Sequence, residues 1–308
     1  MRNTFMQTLL NNAKADKDIF FITGDLGYGV VEDFQNQIPN QFINAGVSEQ
    51  AMMGMAAGIA STGKRVFVYS IGNFPTLRCL EQIRNDVCLM NNSVVVVSVG
   101  AGYSYGSQGY THHALEDIAV MRALPNMNVY VPCDSIESKA LTNFLCKDKS
   151  PSYLRLGKSG EPILHNSELT IKSNEIIELK NGPDGLILFV GPIGSQALLA
   201  AKELARDGIF VSVASAPVVS NLDEGYLIKS AQSGPIVTVE EHSFRGGFGS
   251  AVLEKLNSLG MDYQLKIVAS KQNNLSEIGS QAYLQKVNGI DHNSIKEAFL
   301  SFRANQKK

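Results

Sequence analysis

"SVVVVSVG", residues 93–100, contains four successive valines, so neither face of the strand it would form is polar. A strand with one solvated face alternates apolar and polar residues. One that is apolar on both faces belongs inside a parallel sheet covered by helices on either side. Working outward, "RVFVYS" (65–70), "DIFFIT" (18–23) and "NVYVP" (128–132) read as further strands. Helical patterns lie between and around them at 3–14, 48–61, 75–90, 114–123 and 135–146. The last follows "CDS", where Asp134 or Ser135 can cap the free amides. This alternation predicts an α/β, doubly wound domain with a mostly parallel sheet over residues 1–165. "PSYLRLGKSGEPILHNSE" (151–168) mixes proline, glycine and charge and breaks the pattern. Strands at 185–191, 209–215 and 235–241 then alternate with helices at 194–207, 223–232 and 247–258, predicting a second, smaller α/β domain over 166–308.

The 308 residues suffice for about two domains of ~150 residues each. Hydrophobic residues make up 44% and charged residues 18%, with 27 basic against 29 acidic side chains. Without a basic excess, a nucleic-acid partner is not expected. Cys79, Cys88, Cys133 and Cys146 are widely spaced with no C-x-x-C pair, which argues against a disulfide framework or a zinc site. No secretory leader is read at the N-terminus, and no apolar run approaches the ~20 residues of a membrane span. The expectation is a cytoplasmic protein with no membrane partner.

Four stretches could carry chemistry. "NAGVSEQAMMGMAAGIAS" (44–61) predicts a helix apolar on all sides, hence buried, with one carboxylate, Glu49, at its entrance. An acid in a first turn can simply favour the helix dipole. Enclosed by Met and Ala it would be a perturbed acid, suited to protonating a heterocycle nitrogen. "VGAGYSYGSQGYTHHALEDIA" (99–119) leaves the carboxyl end of a strand, where α/β sheets place ligands, and its glycines allow close approach. His112 could donate a proton or hydrogen bond there, or be incidental to a surface loop. Adjacent His112 and His113 diverge and make a poor metal pair. "TGDLGYG" (23–29) lacks both the dinucleotide and the Walker spacing, leaving Asp25 to contact a ligand or cap a turn. "VEEHSFRGGFGSAVLEKL" (239–256) leads into a helix N-terminus that could bind an anion or simply form a close turn. Arg155, in "SYLRLG", could hold a phosphate or lie on the surface.

In this order and spacing the stretches resemble the C-terminal half of the transketolase family: its pyrimidine-binding domain followed by its small C-terminal domain. The likeness rests on "GDL", "NAGVSEQAMMGMAAGIASTGKRVFVYS", "LRCLEQIRNDV", "GSQGYTHHALEDIAVMRALPNMNVYVPCD", "SYLRLG" and "VTVEEHSFRGGFGSAV", and covers nearly the whole chain. It implies thiamine diphosphate (ThDP) as cofactor, with Glu49 on its pyrimidine nitrogen and Asp25 close by. It further implies His112 facing the sugar and Arg155 and Arg2 contacting a substrate phosphate. The family's stacking phenylalanine corresponds to Gly72, so stacking is assigned to Phe74. A family aspartate on a sugar hydroxyl corresponds to Gln108, and a loop histidine to Gly100. The "GDG…N" segment that holds diphosphate and Mg²⁺ has no counterpart, so no metal ligand is expected on this chain. The resemblance therefore implies one subunit of a split transketolase. A separate N-terminal-type chain would carry GDG…N and Mg²⁺, the two assembling as α2β2 and passing a two-carbon ketol unit from a ketose phosphate to an aldose. Alternatives are a 1-deoxyxylulose-5-phosphate synthase-like enzyme, a 2-oxo acid dehydrogenase β-type subunit, or a non-catalytic scaffold or regulatory module.

Overall fold

The computed structural model describes residues 1–272 and 275–305. In chain order the first unit contains α1 (Arg2–Ala15), β1 (Ile19–Thr23), α2 (Glu32–Gln37), β2 (Phe42–Asn44), α3 (Glu49–Ala60), β3 (Arg65–Ile71) and α4 (Leu80–Gln82), continued by a π-helical stretch, Ile83–Leu89. Then come β4 (Val94–Val99), α5 (Asp117–Arg122), β5 (Asn128–Tyr130), α6 (Ser135–Lys147) and β6 (Ser152–Leu156). The six strands are ordered β2-β1-β3-β4-β6-β5 and every pairing is parallel.

The valines of β4 explain the layering. Val94 and Val96 pack with Met52, Ile83 and Met121, the side of α3, the π-helical stretch and α5. Val95 and Val97 pack with Phe5, Leu9, Leu141 and Leu145, the side of α1 and α6. Asp134 caps α6, its carboxylate accepting the N–H groups of Ile136 and Glu137.

The second unit holds β7 (Ile177–Pro183), β8 (Leu186–Val190), α7 (Gly194–Arg206), β9 (Val211–Ser215), α8 (Glu224–Ser233), β10 (Ile236–Ser243), α9 (Phe248–Ser258), β11 (Leu265–Ser270), α10 (Gln281–Val287) and α11 (His292–Asn305). Its order is β11-β10-β8-β9-β7, parallel except for β7 against β9. The units touch along a strand-like seam in which Val131 N donates to Pro217 O at 2.8 Å and Val219 N to Val129 O at 2.9 Å. Among the described residues no helix is long and apolar enough to cross a membrane.

Three expectations are corrected. The helix expected over 75–90 is a composite, beginning as a 3₁₀ turn at Leu77–Cys79 and ending in π-helical geometry. The helix expected at 114–123 starts only at Asp117, because residues 114–116 still belong to the loop. Most telling, α3 is not buried all round. It buries Met52, Met53, Ala56, Ala57 and Ala60, while Ala51, Gly54, Met55 and Gly58 face outward.

Candidate active site at the carboxyl end of the first sheet

Parallel strands all end on one edge of their sheet, so the loops that follow them converge there. Glu49 is the first residue of α3 and only 5% exposed. Its enclosure is not purely apolar, as the sequence had suggested, because Arg78 Nη1 donates to Glu49 Oε2 at 2.9 Å. The Arg78 guanidinium in turn lies 4.7 Å from the centroid of the Phe74 ring. Phe74 meets His112 edge to face, centroids 5.4 Å apart. Glu49, Arg78, Phe74 and His112 thus form one continuous row across three loops.

That row depends on how the loop after β3 is folded. Gly72 has φ +48°, and a Cβ there would stand 3.4 Å from the His112 carbonyl oxygen. A bulkier residue would be strained by conformation and crowded by the neighbouring loop. Ser98 Oγ donates to Gly72 O and Asn73 Nδ2 to His113 O, both at 2.8 Å, locking the loops together. The two histidines diverge. His113 is buried against Tyr103 with its ring nitrogen 3.3 Å from Gly106 O, and burial lowers its pKa. His112 is half-buried and faces outward beside Thr111 Oγ1.

A second group lies on the loop after β4. The Tyr105 ring lies over Gly100, where an added Cβ would come within 2.2 Å of a ring carbon. Burial pushes the Tyr105 pKa up, and nearby Arg2 counters that push. Lys158 Nζ sits 5.2 Å from the same ring centroid. Sequence reasoning missed Lys158, although it stands in the quoted "SYLRLGKSG" stretch, three residues past Arg155.

Arg155, which the resemblance sets against a substrate phosphate, is 1% exposed. Its Nε and Nη2 donate to both Asp117 carboxylate oxygens, and Nη2 also bonds the carbonyls of Ala114 and Glu241. With that network around it, the guanidinium is a tie between the domains. The glycine turn before α9 is likewise occupied: Glu240 accepts the N–H groups of Phe248 and Gly249, so the chain's own carboxyl group fills that helix N-terminus. Asp25 and Gln108 join neither group. Asp25 is exposed at φ +55°, its backbone N–H donating to Asn44 Oδ1 and its carboxylate accepting from Asn44 Nδ2. Gln108 is exposed on the loop after β4.

Two family descriptions match the chain: "Transketolase, pyrimidine binding domain" over residues 1–161 and "Transketolase, C-terminal domain" over 175–295. The chain belongs to the transketolase family. One of the subunits of an apulose-4-phosphate transketolase, from Phocaeicola vulgatus, is 36% identical over 259 residues, covering 83% of each protein. A putative transketolase C-terminal section of Methanocaldococcus jannaschii is 34% identical over 303 residues, 97% of this chain and 95% of that one. A solved split-gene transketolase, an inactive β4 tetramer, superposes with a TM-score of 0.87 at 31% identity, over 97% of this chain and 96% of that chain. Transketolases are transferases, and these relatives are named as a subunit, a C-terminal section and a split-gene product.

Proposed function

We propose that this chain is the pyrimidine-binding subunit of a two-chain, ThDP-dependent transketolase that transfers a two-carbon ketol unit from a ketose phosphate to an aldose. The observation that carries this reading is Glu49: one nearly buried carboxylate at the sheet's carboxyl end, in a row with an aromatic ring and a histidine. Such a carboxylate fits a protonatable ring nitrogen, and the half-buried Phe74 offers an apolar face for the ring itself. Glu49 would orient the cofactor's pyrimidine, Phe74 pack beside it and Asp25 stand close by. When bound, ThDP supplies the carbon nucleophile and electron sink of ketol transfer. His112, half-buried at the edge of the row, would hold or pass a proton at a sugar hydroxyl. Arg2 and Lys158, both beside Tyr105, would take the substrate phosphate as paired cations, with Gln108 near the sugar. The name of the Phocaeicola relative supports a sugar phosphate as substrate.

The diphosphate and Mg²⁺ would be held by a separate subunit, the pair assembling as α2β2. The outward face of α3 supports such a partner. Gly54 and Gly58 are exposed within the helix, and a Cβ at either would meet nothing within 4 Å. Glycine inside a helix costs about 0.8–1 kcal/mol relative to alanine, and no contact within this chain offsets it. Close approach of another backbone would. Exposed Tyr28, Val47, Leu89 and Met90 add apolar surface to the same unit. The reading divides the chain at 1–165 and 166–308. All four cysteines are unpaired and buried, which supports a reducing, cytoplasmic setting.

The test is reconstitution with the partner chain. Calorimetry should find tight ThDP·Mg²⁺ binding by the pair and none by this chain alone. Glu49→Ala should lower ketol transfer at least about 100-fold while leaving circular dichroism unchanged. Full activity in that variant, or tight cofactor binding by the lone chain, would overturn the proposal.

A further inference from the structure

Cys133, Glu137 and His165 converge where the first unit meets the connector to the second. All three are buried, and their ligand atoms lie within 4.8 Å of one another. Cys133 follows β5, Glu137 stands in the first turn of α6, and His165 comes from the connector. Cys133 Sγ is 3.6 Å from His165 Nε2, which is 2.8 Å from Glu137 Oε1. The cluster is held by backbone contacts: Cys133 N donates to Glu137 Oε2, and the N–H groups of Leu164 and His165 donate to Asp134 Oδ2. On the sheet side, Ser215 ends β9 fully buried, and its Oγ has no hydrogen-bond partner among the described residues. It stands near enough to the Cys133 thiol to favour the thiolate without meeting hydrogen-bond geometry.

We propose that Cys133, Glu137 and His165 form a buried binding site for a divalent transition cation of the zinc class. Thiolate, imidazole and carboxylate are the three donors that zinc favours. Metal–sulfur and metal–nitrogen bonds of about 2.3 and 2.0–2.1 Å at a tetrahedral angle place sulfur about 3.5 Å from nitrogen. The observed separation is 3.6 Å. The shorter contact between His165 and Glu137 holds a proton; exchanging that proton for a metal opens the edge by about 0.5 Å.

Charge is conserved in the exchange. Fully protonated, the metal-free site holds a thiol and an imidazolium facing the Glu137 carboxylate. The loaded site holds a thiolate, a neutral imidazole, a carboxylate and a dication. Two protons leave to solvent, one from Sγ and one from Nε2. Burial, then Glu137 and Asp134, push the Cys133 thiol well above its usual range. Burial opposes the charge on His165, but the hydrogen bond and charge of Glu137 more than offset it and raise its pKa. Both Sγ and Nε2 must give up a proton to bind, so acid competes with metal. Spacing hid the set, because its cysteine and histidine lie 32 residues apart. A cation here would pin the connector, and with it the second domain, to the first turn of α6.

The full-length chain, stripped by a chelator, is titrated with Co²⁺ alone. About one equivalent should bind, giving a thiolate-to-cobalt charge-transfer band and strong tetrahedral visible absorption, both lost to competing Zn²⁺ and on acidification. Cys133→Ser should abolish the band, and His165→Asn should weaken binding by more than about tenfold. Cys146→Ser, which alters a buried cysteine outside the cluster, should leave both intact. A wild-type chain that is folded by circular dichroism yet shows no thiolate band in excess Co²⁺ overturns the proposal. So does a band that survives in folded Cys133→Ser. Should that variant not fold, proton release decides: fewer than one proton per bound Co²⁺ at pH 6 is equally fatal.

Discussion

Two arginine–carboxylate pairs stand beside the same sheet and meet opposite fates. Arg155–Asp117, at 2.7 Å, has side chains 1% and 0% exposed. Arg78–Glu49, at 2.9 Å, joins a buried carboxylate (6%) to a guanidinium 49% exposed. A buried pair is tolerated when its other donors and acceptors are largely met; around Arg155 two carbonyls accept from Nη2, and the Tyr153 hydroxyl donates to Asp117. The Arg78 pair leaves one partner in water, so its hydrogen bond can be exchanged for a ligand at little cost. Full burial marks the tie between the domains, and incomplete burial marks the row at Glu49.

The largest break in that comparison is Asp117→Asn, which strands a buried guanidinium and should destabilise the fold by about 3–5 kcal/mol. Urea unfolding of the variant measures it, and a loss below about 1 kcal/mol would show the two pairs to be alike. Arg78→Ala should cost under about 1 kcal/mol by the same assay. It frees the Glu49 carboxylate to drift, so turnover of the reconstituted pair should fall about 10- to 100-fold. Unchanged turnover would reduce Arg78 to surface decoration.

The smallest effect appears only on acidification. Burial pushes His242, which lies 3.8 Å from Asp117, down to about 4, whereas unfolded it titrates near ~6.5. Between those values the unfolded chain binds the proton and the folded chain does not, so this residue makes stability fall as pH drops. Burial also pushes Glu240 up to about 7, which works in the opposite sense down to ~4.5. His242→Gln removes the first contribution and keeps the second. From pH 7 to 4.5 the variant should lose less thermal stability than the unmodified chain; parallel Tm profiles would refute the assignment.

Much of this fold was legible because parallel strands announce themselves. Four consecutive valines leave no doubt about two covered faces, and Val94–Val97 do divide between the two cores. β2 was missed because three residues carry no period, and β7 because its exposed positions, 178, 181 and 183, do not alternate regularly. Glu49 stood out as a lone charge among methionines and alanines. The surroundings of Arg155 follow from parity. Successive side chains of a strand face opposite ways, and in β6 residue 155 shares its face with Tyr153, toward Asp117, not with Leu154 and Leu156. A motif shows that an arginine ends a strand; only the register shows what covers it. Lys158 was passed over because its partner, the Tyr105 ring, comes from another loop and is visible only in three dimensions.

The exposed glycines of α3 set a trap for anyone improving this protein by stability alone. Alanine at 54 and 58 would meet no clash and would strengthen the helix. Selection for heat resistance of the isolated chain would therefore favour both changes. On the proposed assembly each added methyl group would hold the neighbouring chain away, yielding a robust protein that has lost its company. Selection schemes for this molecule belong on the assembled pair, where the two glycines can be judged by the surface they were kept for.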